Sequence, residues 1–225
     1  PATRKAFEAA HGQPVAAWPA DVLPGGPLAV PFADFRRATM TAFGMTKRAG
    51  RSAENDDVLA AVLNAGTAGV CLVGKTHDFH VHEALGITLD ENRENISASI
   101  AHIVALGREA LFDAEHFFDG YKHNPAYAVR TLQAAVDGGA DVLVLCDTNG
   151  GTFPSEIANI VGKISSLFPV TIGIHAHNDA GMAVATIAAT AHAVFKNALR
   201  MVIPLCYVIA ESAANFDRQA PVGLR

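Results

Sequence analysis

Two histidines in the second half of the chain have the type and spacing to hold a metal ion. His175 and His177 stand two residues apart at the polar end of an apolar run. In a β-strand, residues i and i+2 share one face and lie about 6.6 Å apart along the chain, so the two imidazoles point the same way. Two neutral imidazoles on one face can close on a single ion. The same pattern also fits two histidines that are only hydrogen-bonded at a strand end.

Carboxylates follow two other apolar runs upstream of this pair. Asp113 and Glu115 end one run, two residues apart, and Asp147 ends another. Such carboxylates can bind a metal, orient a histidine or act as a general base, and each also fits an ordinary capped or ion-paired loop acid. Thr148 and Asn149 add a hydroxyl and an amide that can hold a substrate carboxylate, although this is also common chemistry where a chain leaves a strand.

The segment 74–83 follows a further apolar run and carries three histidines. It begins with Gly-Lys-Thr, and Gly69 stands at the spacing that a phosphate-binding loop needs. The residues between the two glycines belong to the apolar run 69–73, which predicts a strand and not a loop, so we reject that kind of nucleotide site. Lys75 can pair with an anionic substrate or lie solvated at the start of a loop. His80 and His82 are expected to pack beneath the strand ends.

A repeat of strands and helices positions these residues. Apolar or β-branched runs recur roughly every 30 to 40 residues, and they cover residues 38–45, 69–73, 110–114, 141–146 and 170–174. Strands joined by helices run parallel with right-handed crossovers, and their polar residues then gather at the carboxyl ends. A (β/α)8 barrel has its active site at that end, so the repeat predicts a (β/α)8 TIM barrel rather than an open doubly wound sheet.

Helix start and stop residues predict four of the connecting helices. They are expected between Ser52 and Gly66, Asp90 and Gly107, Asn124 and Gly138, and Pro154 and Phe168. Both ends of the chain depart from the repeat. The sequence therefore predicts an irregular Pro/Gly-rich arm with a remnant of the second barrel strand over residues 1–37, a partial barrel over 38–195 and a divergent tail over 196–225. The apolar run 199–210 fits a last strand, a helix or a poorly packed tail.

Composition limits the classes of partner. The chain has 225 residues, 50% of them hydrophobic and 17% charged, which suits one α/β domain with a sizeable core. A net charge of −5 without a basic run predicts no nucleic-acid or membrane-surface partner. Cys71 and Cys146 lie in apolar runs and are expected to be buried thiols in a reducing cytoplasm. No signal peptide and no membrane span is expected.

Five segments of the chain resemble the citramalate synthase branch of the isopropylmalate and homocitrate synthase family. They are residues 43–46, 74–83, 113–122, 145–152 and 173–179, in order and at consistent spacing. The string Asp-Ala-Glu-His-Phe-Phe-Asp-Gly, which begins at Asp113, is specific to that branch.

The resemblance implies a TIM barrel that condenses acetyl-CoA with a 2-oxo acid, here pyruvate, on a divalent metal. It implies that His175 and His177 are metal ligands, that Glu115 belongs to the catalytic apparatus, and that Thr148 contacts the oxo-acid carboxylate. The predicted substrate contacts are Thr148, Lys75 and Asp147. Mg, Mn or Zn would suit two imidazoles with carboxylate and substrate oxygens, and a homodimer is a possible assembly.

Some family motifs are missing from these 225 residues. The string Asp-Thr-Thr-Leu-Arg-Asp-Gly of the family's first strand and the Gly-Glu-Arg-x-Gly-Asn signature of its eighth do not occur. We therefore expect an incomplete barrel without these two strands, and impaired activity of this chain alone. Open barrel edges would also leave the strand 170–174 with its apolar faces exposed, unless the arm 12–31 or the segment 199–210 folds across the opening.

Three other functions remain open at this point. The first is an aldol-type cleavage like that of the hydroxymethylglutaryl-CoA lyases, which share the barrel and the His-x-His pair. The second is a non-catalytic domain that binds a metal or a partner. The third is a metal-dependent hydrolase, although in those barrels the His-x-His pair usually lies on the first strand.

Overall fold

One parallel sheet in the order β1-β2-β3-β4-β5-β6 runs through the part of the chain that the structure describes. This structure is a computed structural model, and it describes residues 41–193 and 199–201. The strands are β1 (Thr41–Met45), β2 (Gly69–Lys75), β3 (Glu109–Glu115), β4 (Val142–Asp147), β5 (Thr171–Ala176) and β6 (Leu199–Met201). Spatial order follows chain order, as it does when consecutive βα units curl into a barrel. All five predicted strands are present.

Six helices connect the strands. They are α1 (Asp57–Leu63), α2 (Leu89–Ala105), α3 (Phe117–His123), α4 (Pro125–Asp137), α5 (Pro154–Leu167) and α6 (Ala183–Ala193), and shorter helical turns cover Ala53–Asn55, Asp78–His80 and Val81–Leu85. Asn124 caps α4 as predicted, because its side chain accepts a hydrogen bond from Tyr127 N at 3.1 Å. Among the described helices, none combines the length and apolar character needed to cross a bilayer.

Two predicted helix starts were displaced. Helix α2 is capped by Thr88, which accepts from Glu91 N at 3.1 Å, so Asp90 lies in the first turn. Helix α1 is capped by Asp56 and not by Ser52, which instead precedes a single 3-10 turn. Both errors have one cause, since several residues of capping type stand close together in the sequence and only tertiary contacts select among them.

The two faces of the sheet pack differently. The outer face packs against the helices, with Leu72, Phe112 and Leu143 fully buried there. The inner face carries a smaller buried cluster of Cys71, Leu111, Val142 and Val144. This arrangement of helices outside and side chains inside is the one expected for the wall of a barrel.

The inner face is open at β1. Phe43 and Met45 lie in register with Cys71 and Val73 of β2 and are 46% and 42% exposed. Within the described residues, β1 pairs with β2 alone. The open edge agrees with the predicted incomplete barrel.

The apolar faces of the strand 170–174 are covered, as expected if another segment folds across the opening. Strand β5 is paired on both sides, with β4 and with β6, and Ile172 and Ile174 are buried. The reason is that residues 199–201, which were assigned to the divergent tail, form a further parallel strand with Ile172 opposite Leu199. The predicted arm over 1–37 and the rest of the tail lie outside the described residues.

Candidate active site

The carboxyl ends of four neighbouring strands gather the polar residues of the sequence at one rim. Lys75 and Glu115 are register partners at the ends of β2 and β3, and Cys146 and His175 are partners near the ends of β4 and β5. Partners in a parallel ladder point to the same side of the sheet. Together with the inner-face cluster below them, these four side chains define the inner rim.

A buried carboxylate orients the first histidine. His175 Nδ1 lies 2.8 Å from Asp113 Oδ2, and the two side chains are 11% and 1% exposed. An ionised carboxylate accepts only, so it holds the proton on Nδ1 and leaves the lone pair of Nε2 free for a metal. Of the three roles open to Asp113 from sequence, the structure shows the orientation of a histidine.

The second histidine completes a set of three donor atoms. The rings of His175 and His177 stack with centroids 4.8 Å apart and planes inclined by 29°. One ring nitrogen of each and the Sγ of Cys146 all lie within 4.8 Å of one another. Sequence reasoning placed the two imidazoles on one side but gave the thiol no role.

The electrostatics at this triad suit a cation. Burial, followed by the neighbouring His175, lowers the pKa of His177, so its ring is neutral at pH 7 and able to coordinate. Asp113 Oδ1 is buried without a hydrogen-bond partner in the described structure. Two imidazoles and a thiol that lie this close to one another form a donor set that fits a divalent ion.

Glu115 and Lys75 form an ion pair beside the triad. Their Oε2 and Nζ atoms are 2.6 Å apart, and the side chains are 25% and 23% exposed. Burial, followed by the charges of Asp113 and Glu115, raises the pKa of the Cys146 thiol, so Glu115 lies within electrostatic range of the donor atoms. Lys75, predicted as a substrate contact, therefore also fixes the carboxylate predicted to be catalytic.

Thr148 links two strand ends through its hydroxyl. Its Oγ1 accepts a hydrogen bond from His116 N at 2.7 Å and donates one to Cys146 Sγ at 3.2 Å. The hydroxyl thus lies at the inner rim, where a contact with a substrate carboxylate stays a prediction.

Asp147 lies apart from the other predicted residues. By the alternation of β4 its side chain leaves on the opposite side from Cys146. It is 3% exposed, and its Oδ2 accepts from Thr152 N at 3.4 Å in the following loop. Burial is the main reason that its pKa is raised. A direct substrate contact of Asp147 stays a prediction, while the described contact holds the loop.

His116 is a residue of the rim to which the sequence analysis gave no role. Its φ of 57° is in the left-handed region, and it is the only non-glycine residue with positive φ among those described. Burial and the ring of His80, whose centroid lies 4.1 Å away, lower the pKa of His116. Its Nδ1 is buried with no hydrogen-bond partner among the described residues. Strained, under-satisfied groups of this kind collect at functional sites.

The remaining histidines of segment 74–83 have separate positions. His80 is half-buried against His116, but His82 is exposed, so the expected packing of His82 beneath the rim is wrong. His82 lies in the helical turn Val81–Leu85. Next to them, Asp78 Oδ1 lies 3.0 Å from His77 Nδ1, and Asp78 Oδ2 accepts from Asn124 Nδ2 at 2.7 Å. This network ties the loop after β2 to the start of α4.

Known proteins resemble the chain over the part that builds this rim. The sequence profile of the HMGL-like family matches residues 39–197, which is well over half of the chain. The chain belongs to the HMGL-like family. A crystal structure of the HMG-CoA lyase of Bacillus subtilis, 16% identical, superimposes with a TM-score of 0.58 over 88% of this chain and 59% of that one. This likeness confirms the predicted fold, an incomplete (β/α)8 barrel.

Relatives within the HMGL-like family distinguish its branches. The (R)-citramalate synthase of Streptomyces coelicolor is 46% identical over 152 residues, which are 68% of this chain and 28% of that enzyme. The 2-isopropylmalate synthase of Solidesulfovibrio magneticus is 32% identical over 122 residues, 52% of this chain and 23% of that enzyme. The predicted resemblance to the citramalate synthase branch is confirmed. The chain spans less than a third of the length of these relatives.

Proposed function

We propose that the protein to which these residues belong is an acyltransferase that condenses acetyl-CoA with pyruvate in a Claisen-type reaction. One observation carries this proposal. A chain 46% identical to an (R)-citramalate synthase holds His175, His177 and Glu115 together at the inner rim. Such a reaction needs an activated carbonyl and a base within reach of each other.

We assign His175 and His177 as metal ligands. A divalent ion held there would polarise the carbonyl of the 2-oxo acid and accept its carboxylate. Asp113 contributes by fixing the His175 ring at 2.8 Å, so one nitrogen faces the donor set without a reorganisation on binding.

Glu115 is our candidate for the proton transfer. Its carboxylate accepts a proton from the acetyl methyl group, and the resulting enolate carbon forms a bond to the carbonyl carbon of pyruvate. The carbonyl π bond breaks at the same time, and the oxygen takes up a proton to become the hydroxyl of the product. Hydrolysis of the thioester then releases free CoA. Lys75 positions Glu115 through the 2.6 Å ion pair and keeps the carboxylate at the rim.

Two side chains of the rim, the Lys75 ammonium and the Thr148 hydroxyl, can bind the carboxylate of pyruvate. The ammonium of Lys75 has three donors, so it can hold Glu115 and a substrate oxygen at once. The Thr148 hydroxyl can turn its proton from the Cys146 sulfur to the substrate. We propose that Asp147 acts on the substrate indirectly, because its carboxylate holds the following loop by accepting a hydrogen bond from Thr152 N.

A single-turnover assay tests this function. The purified full-length protein to which these residues belong, in excess over acetyl-CoA, is mixed with pyruvate and a series of Mg, Mn and Zn, and citramalate and free CoA are measured. We expect product in the parent and at least a roughly hundredfold slower formation in Glu115→Gln, as removal of a general base typically costs. Glu94→Gln, at an exposed position of α2, is the control and should match the parent.

The alternatives give different results in the same assay. Cleavage of a hydroxyacyl-CoA without condensation would identify an aldol-type lyase. Metal binding without either reaction would favour a non-catalytic metal-binding domain and overturn the proposal. We also propose a cytoplasmic location, from the buried free thiols Cys71 and Cys146.

A further inference from the structure

We propose that Thr76 is a positioning residue for the reaction, because its hydroxyl fixes the peptide bond that follows Glu115. This inference rests on the proposed function, in which Glu115 removes the proton from the acetyl methyl group. Its support is a peptide unit whose two polar groups are both held by threonine hydroxyls. Thr76 holds the carbonyl of Glu115, and Thr148 holds the amide of His116.

The carbonyl of this peptide receives two hydrogen bonds from one residue. Thr76 N donates to Glu115 O at 3.2 Å, which extends the β2-β3 ladder by one bond, and Thr76 Oγ1 donates to the same oxygen at 2.7 Å. Thr76 is fully buried, so water does not reach its donors. Lys75, the residue before it, holds the carboxylate of the same glutamate at 2.6 Å. Residues 75 and 76 therefore fix both the side chain and the main chain of Glu115.

The amide of the same peptide is held from the neighbouring strand on the other side. The paired register of β3 and β4 ends at Ala114 and Leu145, and beyond this end His116 N donates to the Thr148 hydroxyl at 2.7 Å. A peptide bond is planar, so hydrogen bonds to its C=O from β2 and to its N–H from β4 fix the orientation of the whole unit. His116 then takes a φ of 57°, a left-handed conformation that persists only where its surroundings hold it.

The position of this peptide bears on the proton transfer. The strained residue directly follows Glu115, so a rotation of the peptide between them would displace the carboxylate. A displacement of about 1 Å in a reacting group can cost about a hundredfold in rate. Thr148 has a second task in the proposed function, the contact with the carboxylate of pyruvate, whereas Thr76 acts on the base alone. The two threonines therefore predict different kinetic effects.

Steady-state kinetics of the full-length protein to which these residues belong distinguish the two threonines. Thr76→Val removes the hydroxyl at nearly constant shape, and we expect kcat to fall about 10- to 100-fold while the KM for pyruvate stays unchanged. Thr148→Val should lower kcat and also raise the KM for pyruvate. Thr76→Ser keeps the hydroxyl and should return kcat to near the parent value.

Thr131 provides a matched control for a purely structural effect. It is also fully buried, and its Oγ1 donates to a backbone carbonyl, Ala128 O, at the same distance of 2.7 Å. It lies in α4 and not at the end of a strand. Thr131→Val should lose as much stability as Thr76→Val in urea denaturation, because both leave a buried carbonyl with one hydrogen bond fewer, but it should keep the parent kcat.

The outcomes separate this inference from the proposed function. Equal losses of kcat in Thr76→Val and Thr131→Val, or a parent-like kcat in Thr76→Val, would overturn the positioning role while the parent still condenses its substrates. A parent that forms no citramalate would contradict the proposed function, and the inference with it. If the valine methyl group against the Glu115 carbonyl prevents folding, Thr76→Ala removes the hydroxyl without that contact, and the same comparison is made with Thr131→Ala.

Discussion

At the scale of single residues, the His-x-His pair and its surroundings differ in how far sequence could predict them. Alternation along a strand is enough to place His175 and His177 on one side. The partner of His175 is Asp113, 62 residues away in the chain, and this contact depends on the register of three strands. Sequence predicted that the carboxylate and the histidine share a rim, but several acids met that condition.

The Asp113 carboxylate should matter for metal affinity more than for folding. In Asp113→Asn the amide can still hydrogen-bond to the ring, but it no longer fixes the proton on Nδ1, so the ring is free to present a protonated nitrogen to the metal. We expect affinity for Zn²⁺ roughly 10- to 100-fold weaker, measured by calorimetric titration.

An exposed acid serves as the control for this change. Asp90, on the first turn of α2, has a side chain that is 85% exposed, and Asp90→Asn should bind metal like the parent. Equal affinities in Asp113→Asn and the parent would show that the 2.8 Å contact has no role in metal binding.

The histidines themselves are tested in the same experiment. His177→Ala should weaken metal binding at least about tenfold with little effect on stability, because its ring lies at the rim. His175→Ala should weaken metal binding as much and also destabilise the fold, because it leaves the buried Asp113 carboxylate without its partner. Unchanged affinity in both variants would leave them as hydrogen-bonded residues at a strand end, the alternative that the sequence left open.

The backbone of His116 illustrates what the sequence could not show. The residue lies inside the most family-specific string of the chain, yet nothing in a sequence reports a positive φ for a non-glycine residue. Its buried and unpaired Nδ1 also depends on contacts with the loop after β2. Residue types were therefore predictable at this rim, and conformations were not.

At the scale of elements, Asp56 ties the loop after β1 to the start of α1. Its carboxylate accepts from Leu59 N at 2.9 Å and from Arg48 Nε at 3.1 Å. Burial alone would raise the pKa of Asp56, but these hydrogen bonds outweigh it and lower the pKa to about 2 from 3.8. The folded pKa lies below the unfolded one, so Asp56 stabilises the fold above about pH 4, and this contribution is lost as the pH falls through about 2.

Removal of this cap should therefore have a pH-dependent effect. Asp56→Ala should lower the free energy of unfolding by about 1–2 kcal/mol at neutral pH, measured by urea denaturation, and the difference should shrink as the pH falls below about 4. Asp57→Ala is the neighbouring control, because its side chain is 74% exposed and should contribute less. A difference that grows on acidification would contradict this account.

Gly120 sets how closely α3 approaches the loop after β2. A Cβ at this position would lie 2.8 Å from Thr76 O and 3.0 Å from His77 Cα, which are backbone atoms that cannot easily yield. Gly120→Ala should therefore destabilise the fold by about 1–3 kcal/mol through overpacking.

A second helical glycine provides the opposite expectation. At Gly162 in α5 nothing lies within 4 Å of an added Cβ, so Gly162→Ala should stabilise the helix by up to about 1 kcal/mol. Both changes are measured by urea denaturation. Shifts of the same sign would show that helix propensity, and not the contact with Thr76, decides the result at Gly120.

Elements were predictable where local patterns agreed with tertiary packing. Strands such as Val142–Asp147 were found because both of their faces are covered and their runs are apolar. The short strand Leu199–Met201 could not be chosen over a helix or a tail, since three paired residues leave no periodicity to read. The pairing with β5 decides that strand, and pairing is a property of the assembled sheet.

At the scale of the whole molecule, the inner side of β1 is an exposed apolar edge of the sheet among the described residues. Phe43 and Met45 expose 46% and 42% of their surface on the inner side of β1, where a closed barrel would bury them. Exposed apolar side chains beside an edge strand favour association, because the edge also offers backbone N–H and C=O groups for pairing. We therefore expect this chain to self-associate through β1, in line with the predicted homodimer.

Charge at this edge should oppose the association. Phe43→Lys removes apolar surface and adds a cation next to the edge groups. One buried aromatic contact supplies about 1.4 kcal/mol or more, so the dissociation constant of the dimer should rise about tenfold or more. Sedimentation over a range of concentrations measures it. Val184→Lys on α6 is the control, because Val184 is 81% exposed and lies away from β1. Association that persists in Phe43→Lys but weakens in Val184→Lys would show that the contact lies on the helical side. A parent that stays monomeric would show that the edge does not bind a second copy.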